Sequence, residues 1–173
     1  MIHKAEIISQ PYSGEYKEKI YDISSVWNSQ EWTWVKFNSD ESEEWCGNFR
    51  GKPKNVAISP KHNLILVLTS EYLFELDCIT GELREFDDQT EYQCLTLSPS
   101  GDFIIADFND LYLIKTTLLD RIPIHSPIDM YGIKFKGWNS GKLLIECEDL
   151  ATDKKEKLEL NGETLKIVLT KRY

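Results

Sequence analysis

A repeated pattern of strands and turns limits the folds open to this 173-residue chain more than any other feature of its sequence. Residues 56–60 align with residues 95–99 at an offset of 39, and both segments end in Ser-Pro. In each copy a polar turn follows, and then a continuous apolar run, at 64–68 or 103–106. A looser third copy places its apolar run at 143–145. A period of about 40 residues that holds four strands predicts a fold built from repeated β-sheets.

Hydrophobic periodicity predicts strands along the rest of the chain as well. Short alternating or continuous apolar runs recur between Gly, Asn, Asp, Ser and Pro, and no helical spacing persists over three turns. The predicted strands are 5–9, 19–24, 32–38, 44–49, 55–59, 64–69, 72–77, 83–86, 93–98, 103–107, 111–115, 121–124, 131–135, 142–146, 156–160 and 165–169. The weak helical alternative is confined to one or two turns within 13–20 and 40–45.

The repeats resemble the blades of WD40-like and quinoprotein-like β-propellers. The resemblance lies in Ile58-Ser59-Pro60, the apolar run at 64–67, and Thr80-Gly81-Glu82 in the turn after Asp77. It covers residues 53–125 well and 129–169 poorly. The sequence departs from the pattern because no Trp-Asp dipeptide closes a blade and the Thr-Gly turn occurs once. The resemblance implies blade-like sheets and implies little about activity, since propellers include both enzymes and scaffolds.

We therefore predict an all-β fold, a stack of three to four propeller-blade-like antiparallel sheets that forms an incomplete or a four-bladed propeller. The length favours a single domain, 1–173. It would consist of a Trp-rich N-terminal unit and three blade-like repeats, at 1–52, 53–90, 91–128 and 129–173. A four-bladed ring requires 1–51 to form a degenerate first blade. An open stack would instead leave sheet edges that invite pairing with another chain.

Charge and hydropathy exclude several classes of partner. The net charge of −9 and pI near 4.9 argue against a binder of the nucleic-acid backbone, which needs clustered Lys and Arg. No apolar run approaches the roughly 20 residues of a membrane-spanning helix. Glu6 interrupts the apolar residues near Met1, which argues against a signal peptide. We expect a cytoplasmic protein with no nucleic-acid or membrane partner.

Residues that carry catalysis or bind metals form no motif. His3, His62 and His125 are far apart, and no P-loop, nucleophile elbow or zinc-binding helix motif is present. The four cysteines (Cys46, Cys78, Cys94, Cys147) have no partner within ten residues, and we expect them to be buried, reduced thiols. We predict a protein that is not an enzyme and binds no cofactor or metal.

Acidic and aromatic residues supply the candidate binding site. Four of the five tryptophans lie within 27–45, and Trp32 and Trp34 share one face if that segment is a strand. Acidic residues cluster at 40–44 and 82–91. The predicted partner-binding residues are Trp32, Trp34, Asp40, Glu41, Glu43, Glu44, Trp45, Asp87 and Asp88. The alternative interpretations are that the tryptophans form the core of the N-terminal unit and that the carboxylates form a solvated face.

Three functions remain compatible with this profile. The first is a non-catalytic acidic module that binds a basic protein, with a bacterial immunity protein against a cationic nuclease-type toxin as one example. The second is a scaffold or subunit that completes or docks on a propeller, or binds a peptide along an open edge. The third is a ligand-binding or enzymatic propeller-like protein, which would need polar residues that converge in a pocket.

Overall fold

The computed structural model describes residues 1–23, 29–40, 43–88 and 90–170 of the chain. These residues contain sixteen strands and no helix. The strands are β1 (Ile2–Ile8), β2 (Lys17–Tyr21), β3 (Trp32–Ser39), β4 (Glu44–Arg50), β5 (Pro53–Ser59), β6 (Leu64–Thr69), β7 (Leu73–Asp77), β8 (Leu83–Asp87), β9 (Cys94–Leu97), β10 (Phe103–Ala106), β11 (Leu111–Ile114), β12 (Arg121–Ile124), β13 (Met130–Asn139), β14 (Lys142–Asp149), β15 (Lys154–Asn161) and β16 (Ile167–Leu169).

The structure confirms the predicted all-β class. Each predicted strand overlaps one observed strand, and the weak helical alternative is wrong where residues are described. In the first helical candidate, Lys17–Tyr21 is a strand, because its side chains alternate across a sheet and bury Tyr21. In the second, Glu44 and Trp45 begin β4, and Glu41 and Ser42 lie outside the described residues.

The strands form four sheets of four, none closed into a barrel, and they belong to two compact units. Met1–Thr90 holds sheet A (β1 to β4) and sheet B (β5 to β8). Glu91–Tyr173 holds sheet C (β9 to β12) and sheet D (β13 to β16). The boundary between the units falls where the second predicted segment, 53–90, gives way to the third. That the whole chain is one domain stays a prediction.

Sheets B, C and D are antiparallel meanders in which each strand pairs with the next along the chain. The second strands of sheets B and C, β6 and β10, are buried along their whole length, which explains the continuous apolar runs at these positions. The Ser-Pro sequences predicted to end the first strands do so, because Ser59 pairs with Leu64 across the turn and Leu97 pairs with Phe103.

Sheet A has a different topology. Its strand order is β1-β3-β4-β2, and β2 runs parallel to β4, whereas the other pairs are antiparallel. Strand β2 is therefore an edge strand of this sheet, although it comes second in the chain. This arrangement brings residues 17–21 beside Glu44–Arg50, which decides where the candidate binding residues meet.

Aromatic side chains fill the core of the N-terminal unit between its two sheets. Phe49 of β4 stacks on Tyr21 of β2, with ring centroids 4.5 Å apart, and meets Phe74 of sheet B edge-on at 5.1 Å. Phe37 and Val35 of β3 complete the inner face of sheet A and are fully buried. The core of the C-terminal unit is largely aliphatic and is centred on Ile104, Leu113, Leu143, Ile145 and Leu158.

The turn between β7 and β8 is held by Asp77. Its carboxylate accepts hydrogen bonds from the backbone N–H groups of Ile79 (2.7 Å) and Thr80 (2.8 Å), and it also binds the Arg84 guanidinium. The Thr80 hydrogen bond, aided by the contacts to Arg84 and Ile79, lowers the pKa of Asp77 to about 2. The ionised carboxylate therefore stabilises this turn.

We expect Asp77→Asn to cost about 1–2 kcal/mol of folding free energy at neutral pH and to flatten the acid dependence of stability. The pKa of this carboxyl in the folded protein lies below its ordinary value of 3.8. Its ionised form therefore stabilises the fold above about pH 4, and that contribution disappears as the pH falls toward about 2. Urea unfolding at several pH values should show the difference between wild type and variant shrinking over that interval. A difference independent of pH would contradict this role of the carboxylate.

Candidate functional site

The two faces of β3 separate the tryptophans from the core. Thr33, Val35 and Phe37 are buried on the inner face, whereas Trp32 and Trp34 are half-buried on the outer face of sheet A. The interpretation that the tryptophans form the core is therefore wrong for these two. It holds better for Trp45, which packs against the core and stacks on Phe37 at 4.4 Å. Trp27 lies outside the described residues.

Trp32 and Trp34 line a depression on the outer face of sheet A, which we call the face cavity. Its volume is about 280 Å³. The lining residues are Gln10, Pro11, Glu18, Ile20, Trp32, Trp34 and Asn48. Ile20 keeps 64% of its surface exposed, so this cavity combines indole rings, an exposed aliphatic side chain, amides and a carboxylate.

Arg50 already occupies one end of this face. Its guanidinium lies 3.8 Å from the centroid of the Trp32 ring, and Trp32 and Arg50 are cross-strand neighbours. Two nitrogens of the same guanidinium donate to the Asp22 carboxylate, at 3.1 and 2.9 Å. The arrangement forms a row of aromatic ring, cation and carboxylate from β3, β4 and the residue that follows β2, which is a geometry that favours arginine.

A second cavity, which we call the edge cavity, lies at the edge of sheet A where β2 and β4 meet the turn after β7. Its volume is about 480 Å³. The lining residues are Lys17, Glu18, Lys19, Glu43, Glu44, Trp45, Thr80 and Glu82. The cavity thus joins three of the predicted partner-binding residues, Glu43, Glu44 and Trp45. Four carboxylates and two ammonium groups line it, so its formal charge is negative.

Ion pairs hold part of the edge cavity in place. The Lys19 ammonium bonds to Glu82 at 2.6 Å and to the Gly81 carbonyl at 3.1 Å, and the Tyr21 hydroxyl donates to the same carbonyl. The hydrogen bond from Lys36 (3.0 Å), with a second from Asn38 (2.6 Å), holds the pKa of Glu44 below its usual range. These contacts keep Glu44 ionised at neutral pH.

Glu18 lines both cavities and therefore links them. It lies on edge strand β2, beside Cys46 of β4, and accepts a 2.7 Å hydrogen bond from the Asn48 amide. Glu18, Ile20 and Asn48 were not among the predicted binding residues. The residue pattern predicted a strand at 19–24, which overlaps β2, but it did not indicate that this strand pairs with β4.

The other predicted residues lie elsewhere. Asp40 is exposed and forms ion pairs with the Met1 amine (3.0 Å) and with His3 (3.3 Å). The hydrogen bond to that amine lowers the pKa of Asp40. Asp87 pairs with Leu73 at the far end of β8 from Glu82, and Asp88 follows it. None of these three lines either cavity. Glu41 lies outside the described residues.

Charge is divided unequally between the two units. Met1–Thr90 has 16 acidic and 9 basic residues, a net charge of −7, whereas Glu91–Tyr173 has 13 and 11, a net charge of −2. Both cavities lie in the acidic unit. The sequence's acidity therefore belongs mainly to the part of the chain that carries the aromatic and carboxylate cavities.

The described residues offer little nucleophilic or metal-binding chemistry. Cys46, Cys78 and Cys147 are buried as predicted, and burial raises the pKa of each, to about 11 for Cys46 and Cys147. Cys94 is half-buried. No group of three His, Cys, Asp or Glu side chains within these ranges could hold a metal ion.

In the described part of the chain, no helix has the length and apolar character needed to span a bilayer.

Comparisons with known proteins give no family. No family model matches the chain, and no curated protein matches it. Among solved structures, the chain is similar to the crystal structure of a protein of unknown function from Bacteroides caccae, with 15% identity and a TM-score of 0.40. The match covers 89% of this chain, which spans 59% of the length of that structure. This likeness assigns neither a function nor a partner to the chain.

Proposed function

We propose that this chain is a non-catalytic protein-binding module whose acidic N-terminal unit binds a basic protein. The observation that carries the proposal is that the face cavity and the edge cavity meet at Glu18. Five of the nine predicted partner-binding residues line one of the two: Trp32, Trp34, Glu43, Glu44 and Trp45. Aromatic anchors beside carboxylates are the composition of a strong interface for a cationic partner.

The edge cavity supports the proposal by its charge and its floor. Trp45 is held in place by stacking on Phe37 and presents an aromatic surface among four carboxylates. A lysine or arginine of a partner that enters it would meet both a ring and an opposite charge. The −7 charge of the whole unit would also accelerate encounter with a basic protein at low salt.

An immunity protein that neutralises a cationic nuclease-type toxin in the cytoplasm is the specific form of this proposal. Such an inhibitor needs no catalytic group of its own, and it must present negative charge to a surface built for nucleic acid. The separation of Trp32 and Trp34 from the core supports an interface on sheet A, because buried aromatic residues are common at the centres of tight interfaces.

We further propose that the sheets are blade-like in the WD40-like sense. Support comes from sheets B, C and D, each a four-stranded meander within a repeat of about 40 residues. Sheet A, with its parallel β2–β4 pair, departs from that plan. Whether the sheets belong to an incomplete or a four-bladed propeller is part of the proposal.

The test uses the double variant Glu18→Gln, Glu43→Gln, which removes two cavity carboxylates that have no Lys or Arg partner in the described structure. Wild-type protein is immobilised and exposed to a lysate of the source cells at about 0.05 and 0.5 M salt, and a captured basic protein is purified. We expect its affinity to fall at high salt and to fall at least about tenfold in the variant, since close charge pairs at interfaces are strongly coupled.

The matched control is Glu91→Gln, Glu163→Gln, two exposed carboxylates of the C-terminal unit that change the net charge equally. It should bind the partner as wild type does, apart from a small effect on the association rate. Equal losses in both double variants would contradict a site at the cavities, and a captured partner whose binding ignores salt would contradict electrostatic recognition.

A scaffold role is favoured by one observation, the exposure of β8. Among the described strands, this outer strand of sheet B pairs with β7 alone, and it leaves Leu83 and Phe86 38% and 39% exposed. An edge of this kind can accept a strand from another chain. If the same capture yields only copies of this chain or a large assembly, that result favours the scaffold and contradicts the inhibitor.

A further inference from the structure

The geometry points to a subsite for an arginine side chain of the partner, formed in the face cavity by Trp34, Asn48 and Glu18. This inference rests on the proposed function and narrows it from a basic partner to a specific cation. The guanidinium would stack on the Trp34 ring and donate to the Glu18 carboxylate. The protein itself places one arginine, Arg50, on the same outer face of sheet A.

Trp32, Arg50 and Asp22 form a row on the outer face of sheet A. Strands β3, β4 and β2 lie side by side, and their outer-face residues align in rows perpendicular to the strands. In this row the Arg50 guanidinium lies 3.8 Å from the centroid of the Trp32 ring. Two nitrogens of the guanidinium donate hydrogen bonds to the Asp22 carboxylate. The outer face of sheet A therefore holds an arginine between a ring on β3 and the carboxylate of the residue that follows β2.

The next row on the same face contains Trp34 and Asn48. Trp34 lies two residues beyond Trp32 and pairs with Asn48, which occupies the place that Arg50 has in the first row. Ile20 is the β2 residue opposite Asn48, and Glu18 lies one row further along β2, in the row of Cys46 and Lys36. The Asn48 amide donates to the Glu18 carboxylate at 2.7 Å, which links the Trp34 row to that carboxylate. Lys36 forms its ion pair with Glu44 at 3.0 Å, and in the described structure no cation or ring stacks on Trp34.

The size and charge of the face cavity also favour an arginine side chain. Its volume of about 280 Å³ is at the lower limit for small-molecule pockets and suits a single long side chain. Arginine fits better than lysine because its planar guanidinium can stack on an indole and donate to a carboxylate at the same time. The exposed Ile20 side chain offers an apolar surface to the methylene groups of that arginine.

The experiment compares hexa-arginine with hexalysine, two peptides of equal charge, at about 0.05 M salt. Affinities are measured by fluorescence anisotropy, and the Trp34 indole N–H is followed by NMR in ¹⁵N-labelled protein. The Trp138 indole, which bonds to Thr96 in the other unit, is the internal reference. We expect hexa-arginine to bind at least about fivefold more tightly and to shift the Trp34 signal while the Trp138 signal stays in place.

Two variants locate the effect. Trp34→Leu should bring the ratio of the two affinities close to one, and Glu18→Gln should weaken hexa-arginine more than Glu163→Gln does. Unfolding midpoints of the variants verify that they fold, and the wild-type NMR shift tests the subsite without any substitution.

Three results would overturn the subsite. Equal affinities for the two peptides would overturn it and leave the proposed function standing, because a basic partner could still bind by charge alone. An unmoved Trp34 signal under saturating hexa-arginine would overturn it as well. So would a shift of Trp34 caused by a neutral methyl pyranoside and not by hexa-arginine, which would indicate a saccharide site. The proposed function itself is tested separately, by the capture experiment with its salt series and its two double variants.

Discussion

Replacement of Phe49 by alanine is expected to lower the free energy of unfolding by about 3–5 kcal/mol, which is a large part of the stability of a small domain. Phe49 is fully buried and lies where both sheets of the N-terminal unit meet. Its ring stacks on Tyr21 at 4.5 Å and meets Phe74 edge-on at 5.1 Å. Alanine removes these ring contacts and leaves a cavity between two sheets whose backbones are fixed by strand pairing.

The matched control is Phe86→Ala. Phe86 is 39% exposed on β8 and has one ring contact, to Tyr72 at 6.1 Å, so we expect a cost below about 1.5 kcal/mol. Urea unfolding of both variants, followed by circular dichroism, gives the comparison. Similar costs for Phe49 and Phe86 would show that the aromatic cluster does not hold the two sheets together.

The strands were predictable from the sequence because each depends on local alternation. Residues 64–69 form a strand buried on both faces, and their continuous apolar run predicted that directly. The pattern in 32–38 predicted that Trp32 and Trp34 share a face. It could not decide which face is the core, since Thr33, Val35 and Phe37 on the opposite face are also large enough to be buried.

Pairing between distant strands was not predictable in the same way. The parallel pair of β2 and β4 depends on how Tyr21 stacks on Phe49 and how Ile20 aligns with Asn48, and no local pattern records that register. Glu18 entered the candidate site only through this pairing. Asp87 and Asp88 were predicted as part of the acidic cluster at 82–91, but an extended strand separates its two ends by about 3.3 Å per residue.

The acidic residues illustrate the same limit from the side of charge. A count of charges predicted a negative surface but not its distribution. Folding pairs Glu44 with Lys36 and Glu82 with Lys19. In the described structure the Glu18 carboxylate accepts a hydrogen bond from the Asn48 amide and has no Lys or Arg partner. The carboxylates of a cluster thus differ in what they can still bind, and that difference arises from tertiary contacts.

Replacement of Gly81 by alanine is the second change from which we expect a large effect, about 2–4 kcal/mol of lost folding free energy. Gly81 has a φ of +66°, and a Cβ atom there would lie 2.7 Å from Cζ2 of Trp45. Neither the backbone nor the ring can yield easily, because Gly81 N–H bonds to Asp77 and the ring is stacked on Phe37. Urea unfolding measures the cost.

Gly132→Ala separates the two causes. Gly132 has nearly the same φ, +64°, but nothing lies within 4 Å of the added Cβ atom, so this variant reports the backbone strain alone, about 1 kcal/mol. The excess cost at Gly81 is then the cost of displacing Trp45. Since Trp45 lines the edge cavity, Gly81→Ala should also lower the affinity for the captured basic partner, whereas Gly132→Ala should leave that affinity unchanged. Equal costs for the two glycines would mean that Trp45 moves aside freely, and a ring that moves freely would be a poor anchor for a partner.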